Sequence, residues 1–255
     1  MDNIYLKISD LYKDSRGSAI CIVISNSGSV PGKIGAKMVV FEDGSIEGTV
    51  GGGAVESKTI EEALEAIRTQ TPVHKEYNLG EDLAMTCGGH VSIYIEPLSK
   101  PARLYIFGAG HIGKALARYA PDMGFETVVI DWRNDIFEDA DNINYKQLHK
   151  PYMEAIDDIV FNKSTYVVIV TPNHEMDEDI LAAIGNKTAA YIGLIGSKKK
   201  IAALNIRFRE EKLLTDDELK RIDMPIGIKF NAIAPNEIAI SILAKLIDVK
   251  NTKTL

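Results

Sequence analysis

The sequence predicts an α/β protein in which a smaller mixed α/β domain, residues 1–99, precedes a doubly wound parallel-sheet domain, residues 100–255. Three observations predict this architecture. The chain of 255 residues exceeds one typical domain. Apolar strand patterns alternate strictly with helical patterns after residue 103, whereas several strand patterns surround a single helical one before it. The Ser-Lys-Pro segment at 99–101 is the expected linker.

The first domain is expected to combine strands with one helix. Its first strand is a β-branched run that contains Cys21, which we expect in the core. Asp43-Gly44 is typical of a hairpin turn between the next two strands. The strands are predicted at residues 18–25, 36–42, 45–50 and 90–96, and the helix at about 54–69.

The second domain is predicted from mostly apolar strand patterns of four to six residues, three of the four followed by a helical pattern, which favours parallel strands with crossover helices. A proline at the first position of a helix marks the start of the last helix at Pro235. The strands are predicted at 104–107, 127–131, 166–171 and 190–195, and the earlier helices at 111–121, 175–184 and 198–212.

Composition excludes several classes of protein. The chain is 45% hydrophobic and 25% charged, and no apolar run approaches the ~20 residues of a membrane span. A net charge of −7 argues against binding nucleic acid in bulk. Two cysteines, Cys21 and Cys87, provide no disulfide framework. The first residues lack a secretion signal, so a cytoplasmic location is expected.

A dinucleotide-binding motif follows the strand predicted at 104–107. In such motifs the first glycine makes a tight turn, the second lets the pyrophosphate approach the backbone, and the third lets helix and strand pack closely. The phosphates lie at the helix N-terminus. The residues expected to bind a cofactor in this way are Gly108, Gly110, His111 and Gly113. The alternative is a Rossmann-type sheet whose glycines serve packing alone.

Two residues at the end of the next strand bear on the choice of dinucleotide. Asp131 lies about 20 residues after the motif, where a carboxylate binds the ribose hydroxyls of NAD. Arg133 is suited instead to a 2′-phosphate. Because of Asp131 we favour NAD(H) over NADP(H) and predict NAD(H) or a related dinucleotide, and the choice among NAD, NADP and a flavin stays open from the sequence.

Two further loops of this domain are candidate sites. Gly196 and Ser197 follow a strand and precede three lysines, 198–200, which indicate either a bound anion or a solvated helix end. His174 and Asp177, three residues apart at a helix start, are candidate catalytic residues for proton exchange, and the alternative is a cap with a packed imidazole. We assign no metal ligands.

Glycine-rich segments also mark the first domain. Successive glycines before a helix form a concavity that binds anions, and Lys33 or Lys37 can add charge there. A thiol between glycine-rich turns is a candidate nucleophile or soft metal ligand, or else a small residue in a tight turn. The candidate cofactor-binding residues are Gly51, Gly52, Gly53, Glu56, Cys87, Gly88 and Gly89, and Cys87 is also a candidate catalytic residue.

The order of these segments resembles the XdhC/CoxI family, accessory proteins of molybdenum hydroxylases such as xanthine dehydrogenase. The resemblance covers nearly the whole chain. It implies a protein that binds the molybdenum cofactor (molybdopterin) transiently, supports its sulfuration and passes it to an apo-hydroxylase. The segments that carry it begin at Gly28, Gly48, Met85, Gly108, Asp131, Thr171, Gly193, Pro225 and Pro235.

The resemblance implies the apo-form of a molybdenum hydroxylase and a sulfur-donating cysteine desulfurase as partners. Two positions depart from the family pattern. Ala54 stands where relatives commonly have a cysteine, and the segment Thr171 to His174 keeps one of the two histidines usual there. Sulfur handling at position 54 and a relay through two histidines are therefore not expected to operate as in relatives.

Two other functions remain open from the residues alone. One is an NAD(P)-dependent oxidoreductase in which His174 acts as acid or base. The other is a module whose affinity for a partner changes when a nucleotide binds. We expect a homodimer, since two-fold dimers are the commonest soluble assembly, and we expect neither a membrane nor a nucleic-acid partner.

Overall fold

The computed structural model describes residue 11 and residues 17–80, 89–98, 101–137 and 143–252. The chain divides into two compact units, residues 1–100 and residues 101–255. Together they form the mixed α/β architecture with a parallel sheet in the second unit, so the predicted fold class is confirmed.

The first unit is built on a five-stranded antiparallel sheet in the order β3-β2-β1-β5-β4. Helix α1 covers one face of this sheet over a core that includes Cys21, Met38 and Ile93. Burial raises the pKa of the Cys21 thiol to about 12. The elements are β1 (Ser18–Gly28), β2 (Lys37–Phe41), β3 (Ile46–Gly48), α1 (Gly53–Thr69), β4 (Val73–Asn78) and β5 (Gly89–Leu98).

Strand β4 was not predicted from the sequence. Its residues, Val-His-Lys-Glu-Tyr-Asn, are mostly polar because β4 lies at the edge of the sheet and buries only Tyr77. Backbone pairing with β5 therefore specifies this strand, rather than an apolar pattern.

The second unit is a five-stranded parallel sheet in the order β10-β9-β6-β7-β8. Helices α2 and α7 cover one face, and α3, α4, α5 and α6 cover the other, over two separate apolar clusters. Its elements are β6 (Ala102–Phe107), α2 (His111–Tyr119), β7 (Phe125–Asp131), β8 (Lys146–His149), α3 (Tyr152–Asp157), β9 (Thr165–Ile169), α4 (His174–Ile184), β10 (Tyr191–Leu194), α5 (Lys198–Glu210), α6 (Asp216–Arg221) and α7 (Pro235–Thr252).

Three short elements of the second unit were also missed from the sequence, namely β8, α3 and α6. Each has four to six residues, too few for a periodic pattern to show. Helix α6 carries a local signal all the same, because Thr215 and Glu218 form a capping box at its start.

Strand β6 is the central strand of the sheet, and the connections to its two neighbours locate the expected ligand site. The chain crosses from β6 to β7 on one side and reaches β9 on the other, so the connections leave the sheet in opposite directions between β6 and β9. Ligands of doubly wound sheets bind beyond the carboxyl ends of the strands at such a switch point.

Candidate functional site

The three glycines of the loop after β6 lie in three different environments. Gly108 has a φ of +111°, and a methyl group there would lie 2.5 Å from the Val170 carbonyl oxygen. A methyl group on Gly113 would overlap the Gly108 carbonyl oxygen. No heavy atom lies within 4 Å of the equivalent position on Gly110. Gly108 and Gly113 therefore allow close packing of the backbone, whereas Gly110 borders open space.

That open space lies at the start of α2. Gly110 is the N-cap residue and provides no side-chain cap, and His111, the first helical residue, is exposed. The first N–H groups of a helix have no partner within the helix, and they attract anions. The loop can therefore hold a phosphate, and cofactor binding by these residues stays a prediction.

Asp131 does not face a ligand as the sequence led us to expect. Its side chain is fully buried, and both carboxylate oxygens are already occupied. The Ala109 backbone N–H donates to Oδ2 at 2.8 Å. Arg133 donates from its backbone N–H at 3.1 Å, from Nε at 2.9 Å and from Nη2 at 2.7 Å. The carboxylate therefore links the glycine loop to Arg133 and is not free to accept a hydrogen bond from a ribose hydroxyl.

Electrostatics keep this carboxylate ionised. Burial alone would raise the pKa of Asp131, but the hydrogen bonds from Arg133 and Ala109 outweigh burial and hold that pKa below its ordinary value. Arg133 stays one-third exposed, so one edge of its guanidinium reaches solvent. At this position the Arg133 guanidinium, and not the Asp131 carboxylate, is accessible to a ligand.

An apolar cavity of about 300 Å³ opens beside Trp132, the residue between Asp131 and Arg133. Sequence reasoning missed it, because its walls come from three separate parts of the chain, one of which is the unpredicted helix α3. The Tyr152 hydroxyl is buried and makes no hydrogen bond with the described residues. The cavity is lined by Trp132, Pro151, Tyr152, Met153, Met176, Asp179 and Ile180.

The loop after β10 is capped by its own serine. Ser197 Oγ accepts a hydrogen bond from the Lys200 backbone N–H at the start of α5. A methyl group on Gly196 would lie 2.8 Å from Ile201 Cδ1, so this glycine serves close packing. Lys198 and Lys199 are exposed. For these two lysines, a bound anion and a solvated helix end both remain compatible with the structure.

His174 and Asp177 do not act on one another as the sequence suggested. His174 is exposed, whereas Asp177 is 2% exposed. The Asp177 carboxylate accepts from the Thr171 hydroxyl at 2.7 Å and from Lys200 Nζ at 3.1 Å. The aspartate thus links α4 to the end of β9 through Thr171 and to α5 through Lys200. The Asn173 side chain caps α4 instead.

In the first unit the triple glycine is shaped by backbone contact. Gly51 has a φ of +133°, and a methyl group on it would lie 2.7 Å from the Gly32 nitrogen, so the two loops are in backbone contact. Lys33, the residue after Gly32, is exposed next to this contact. Gly52 and Gly53, at φ +80° and +62°, have open space around them. These two residues form an open concavity at the start of α1.

A polar link supports this loop. The Thr49 hydroxyl accepts from the Gly51 backbone N–H at 3.1 Å and donates to the Glu56 carboxylate in the first turn of α1. Glu56 is thereby held by the protein. Its negative charge favours the helix N-terminus but competes with any anion there.

The remaining first-unit candidates are Cys87, Gly88 and Gly89, which are consecutive in the sequence. Gly89 pairs with Gly28, and a methyl group on it would lie 2.7 Å from the Ser27 carbonyl oxygen. Cys87 and Gly88 lie outside the described residues. Ala54 is half-buried in the first turn of α1.

The described residues contain neither a metal-binding cluster nor a membrane-spanning helix. In these ranges no group of three or more His, Cys, Asp or Glu residues is placed to hold a metal ion. Within the same ranges, every helix is too short or too polar to cross a membrane.

Comparison with known proteins connects both units to one family. A family model described as the XdhC Rossmann domain matches residues 104–246, more than half of the chain. A second model, described as the XdhC and CoxI family, matches residues 11–78. A crystal structure described as a xanthine dehydrogenase from Bacillus halodurans shares the fold, with a TM-score of 0.50 at 23% identity over 99% of this chain and 96% of that one.

Individual relatives cover the chain to different extents. It is 32% identical to the uncharacterized protein YqeB of Escherichia coli K12, over 98% of this chain and 46% of that protein. It is 29% identical to a Bacillus subtilis 168 protein described as a probable xanthine dehydrogenase subunit, over 62% and 46%. It is 21% identical to the molybdenum cofactor insertion chaperone PaoD of Escherichia coli K12, over 92% and 84%. The chain spans about half the length of the first two relatives. The resemblance drawn from the motifs is thus confirmed, and the chain belongs to the XdhC/CoxI family.

Proposed function

We propose that this protein is an accessory factor that binds the molybdenum cofactor and supports its sulfuration and insertion into a molybdenum hydroxylase such as xanthine dehydrogenase. The observation that carries the proposal is membership of the XdhC/CoxI family across both units. A relative that aligns with 92% of the chain is named a molybdenum cofactor insertion chaperone. The partners we propose are the apo-hydroxylase, a sulfur-donating cysteine desulfurase and a second copy of this chain.

The cargo site that we propose is the loop before α1. The cofactor carries a terminal phosphate, and Gly52 and Gly53, at the N-terminus of a helix, have no heavy atom within 4 Å of their Cβ positions. Lys33, on the neighbouring loop, adds a positive charge. The Glu56 carboxylate opposes it but is tied to the Thr49 hydroxyl. These features support a phosphate site of modest strength, suited to a cargo that must be released.

The second unit supplies a separate nucleotide site in this proposal. Close packing at Gly108 and Gly113 with open space at Gly110 supports pyrophosphate binding at this loop. NAD(H) or a related dinucleotide bound there would regulate transfer of the cargo.

The oxidoreductase alternative has less support. An acid or base must reach the reacting group, and His174 is exposed with no carboxylate partner among the described residues, while Asp177 is buried against Lys200. If NADH binds without being oxidised, the nucleotide is a regulator; steady turnover that is lost in His174→Ala would favour the enzyme.

The test is anaerobic mixing with molybdenum cofactor, gel filtration, and fluorescence of the oxidised pterin in the protein peak. We expect stoichiometric pterin with the native chain and its loss in Gly52→Asp, because an added carboxylate repels the phosphate. Gly44→Asp is the matched control, since Gly44 has nearly the same φ, +81° against +80°, and equally open space at a hairpin turn.

Three outcomes carry information in this experiment. Pterin retained by Gly52→Asp would place the cargo elsewhere. Loss in Cys87→Ser would add the thiol to the site. Absence of pterin from the native protein would contradict the carrier function itself.

A further inference from the structure

We propose that the nucleotide bound by the second unit carries an extra phosphate on its base-bearing ribose, with Arg133 as the ligand of that phosphate and the Trp132–Tyr152 cavity as the site of the base. The chemical class is a 2′-phosphorylated adenine dinucleotide, as in NADP(H). This inference rests on the proposed nucleotide site after β6 and specifies what that site selects.

The first argument is that Asp131 has no acceptor left for a ribose hydroxyl. Its carboxylate is fully buried and receives four hydrogen bonds, one from Ala109 and three from Arg133. A 2′-hydroxyl would have to displace the guanidinium of Arg133 and leave that cation without its partner. The ordinary recognition of an unphosphorylated ribose is therefore blocked.

The second argument is that Arg133 is held ready for an anion. Asp131 takes Nε and Nη2, and Nη1 has no partner within the described ranges. The side chain is 33% exposed, so its free edge is open to a ligand. Because the guanidinium is already fixed, little conformational entropy is lost when a phosphate binds.

The third argument is the cavity next to Arg133. Its volume of about 300 Å³ and its aromatic and thioether lining suit a flat heteroaromatic ring. Trp132, which directly precedes Arg133, forms one wall and is 46% exposed, and Met176 at the start of α4 lines it as well. The base and the 2′-phosphate of one adenosine moiety would thus meet adjacent residues of the chain.

The fourth argument is an orphaned hydroxyl in the cavity wall. Tyr152 is 5% exposed, and its hydroxyl makes no hydrogen bond with the described residues. Buried hydroxyls are nearly always paired, and a ring nitrogen of the base would supply the missing acceptor. Burial, then the Asp131 charge and the approach of the hydroxyl to the Asp131 carboxylate, raise the pKa of Tyr152, so the hydroxyl stays protonated as a donor and lies near the Asp131–Arg133 pair. Asp179 offers an acceptor for an exocyclic amine.

Trp132, the single tryptophan of the chain, reports on binding directly. The full chain is titrated with NADPH, NADH, adenosine 2′,5′-bisphosphate and 5′-AMP, following tryptophan quenching, with calorimetry as a second readout. We expect each 2′-phosphorylated ligand to bind about tenfold more tightly than its counterpart, or better, as for a charge-assisted hydrogen bond.

Variants separate the phosphate from the base. Arg133→Gln should abolish the preference, because NADPH loses its phosphate ligand and the Asp131 carboxylate, no longer held by the guanidinium, becomes available to the ribose hydroxyls of NADH. Arg133→Lys keeps a cation beside Asp131 and should retain part of the preference, which separates loss of the ligand from misfolding. Tyr152→Phe should weaken NADPH and NADH equally. Arg221→Gln, at an exposed arginine on α6, is the matched control and should change neither affinity.

The overturning results are distinct. Equal affinities for NADPH and NADH, or a preference that survives in Arg133→Gln, would overturn this inference and leave the nucleotide site standing. Failure of every nucleotide to bind would overturn the nucleotide site together with it. Pterin co-elution, measured separately, would still decide the carrier function.

Discussion

Replacing Gly113 with alanine is expected to destabilise the second unit by about 3 kcal/mol or more. The added methyl group would overlap the Gly108 carbonyl oxygen, which is backbone and cannot rotate away, and would lie 3.4 Å from Ile106. Strand β6 and helix α2 would have to separate. The measurement is urea unfolding followed by the fluorescence of Trp132, which lies in this unit.

The control is Gly110→Ala, three residues earlier in the same loop. Its φ of −68° suits alanine, and the space around it is open within 4 Å, so we expect a change in stability within about 0.5 kcal/mol. Nucleotide binding should nevertheless be lost, because the methyl group fills the space that the pyrophosphate needs. Equal destabilisation by the two substitutions, or undiminished binding by Gly110→Ala, would contradict the different roles given to these glycines.

Asp131→Asn is expected to cost about 3 kcal/mol of folding stability. Breaking a buried ion pair by removing one partner costs roughly 3–5 kcal/mol, and the lower end applies because Arg133 is one-third exposed and water can solvate it. The amide would also turn a donor toward Arg133 or Ala109, where the carboxylate now accepts. The measurement is the same urea unfolding of native and variant proteins at pH 7.

The control is Glu126→Gln, which breaks the ion pair with Arg103 at 3.1 Å. These side chains are 55% and 29% exposed, so solvent screens the pair and the loss should stay below about 1 kcal/mol. Similar losses for the two substitutions would mean that the burial of Asp131 contributes nothing beyond an ordinary surface pair.

The contribution of Asp131 should depend on pH in a defined direction. Its pKa in the folded protein lies below the ordinary aspartate value, about 3.9, so its stabilisation is complete above that value and is lost as the pH falls through the folded pKa. The stability difference between native and Asp131→Asn proteins should therefore be constant from pH 7 to about pH 5 and shrink below about pH 4. A difference that grew on acidification would contradict the ion pair.

Much of the second unit could be read from local pattern. The strand before Gly108 and the helix after it follow from an apolar run and a glycine turn, and Gly108 does adopt the positive φ that the motif requires. The short elements could not be read, because β8 and α3 have too few residues for a period and are specified by the neighbours they pair with or pack against.

The role of Asp131 shows what the local sequence cannot predict, namely the hydrogen-bond partners of a side chain. Its spacing from the motif is a property of the sequence, but whether its oxygens face a ribose depends on what else reaches them. The Arg133 side chain folds back onto it, and the Ala109 N–H arrives from the neighbouring strand's loop. Asp177 is a second example, since its ion-pair partner, Lys200, lies 23 residues further along the chain and cannot be identified from the local sequence.

By itself, the sequence determined the α/β class, the family and the glycine turns, because each of these depends on local backbone preference and on patterns within a short stretch of chain. Tertiary structure alone decided that Arg133 rather than Asp131 is presented, and that Trp132, Tyr152 and Met176 enclose one cavity. The physical reason is that a parallel sheet gathers the carboxyl ends of strands distant in sequence, and only their packing settles which polar groups satisfy one another and which remain free for a ligand.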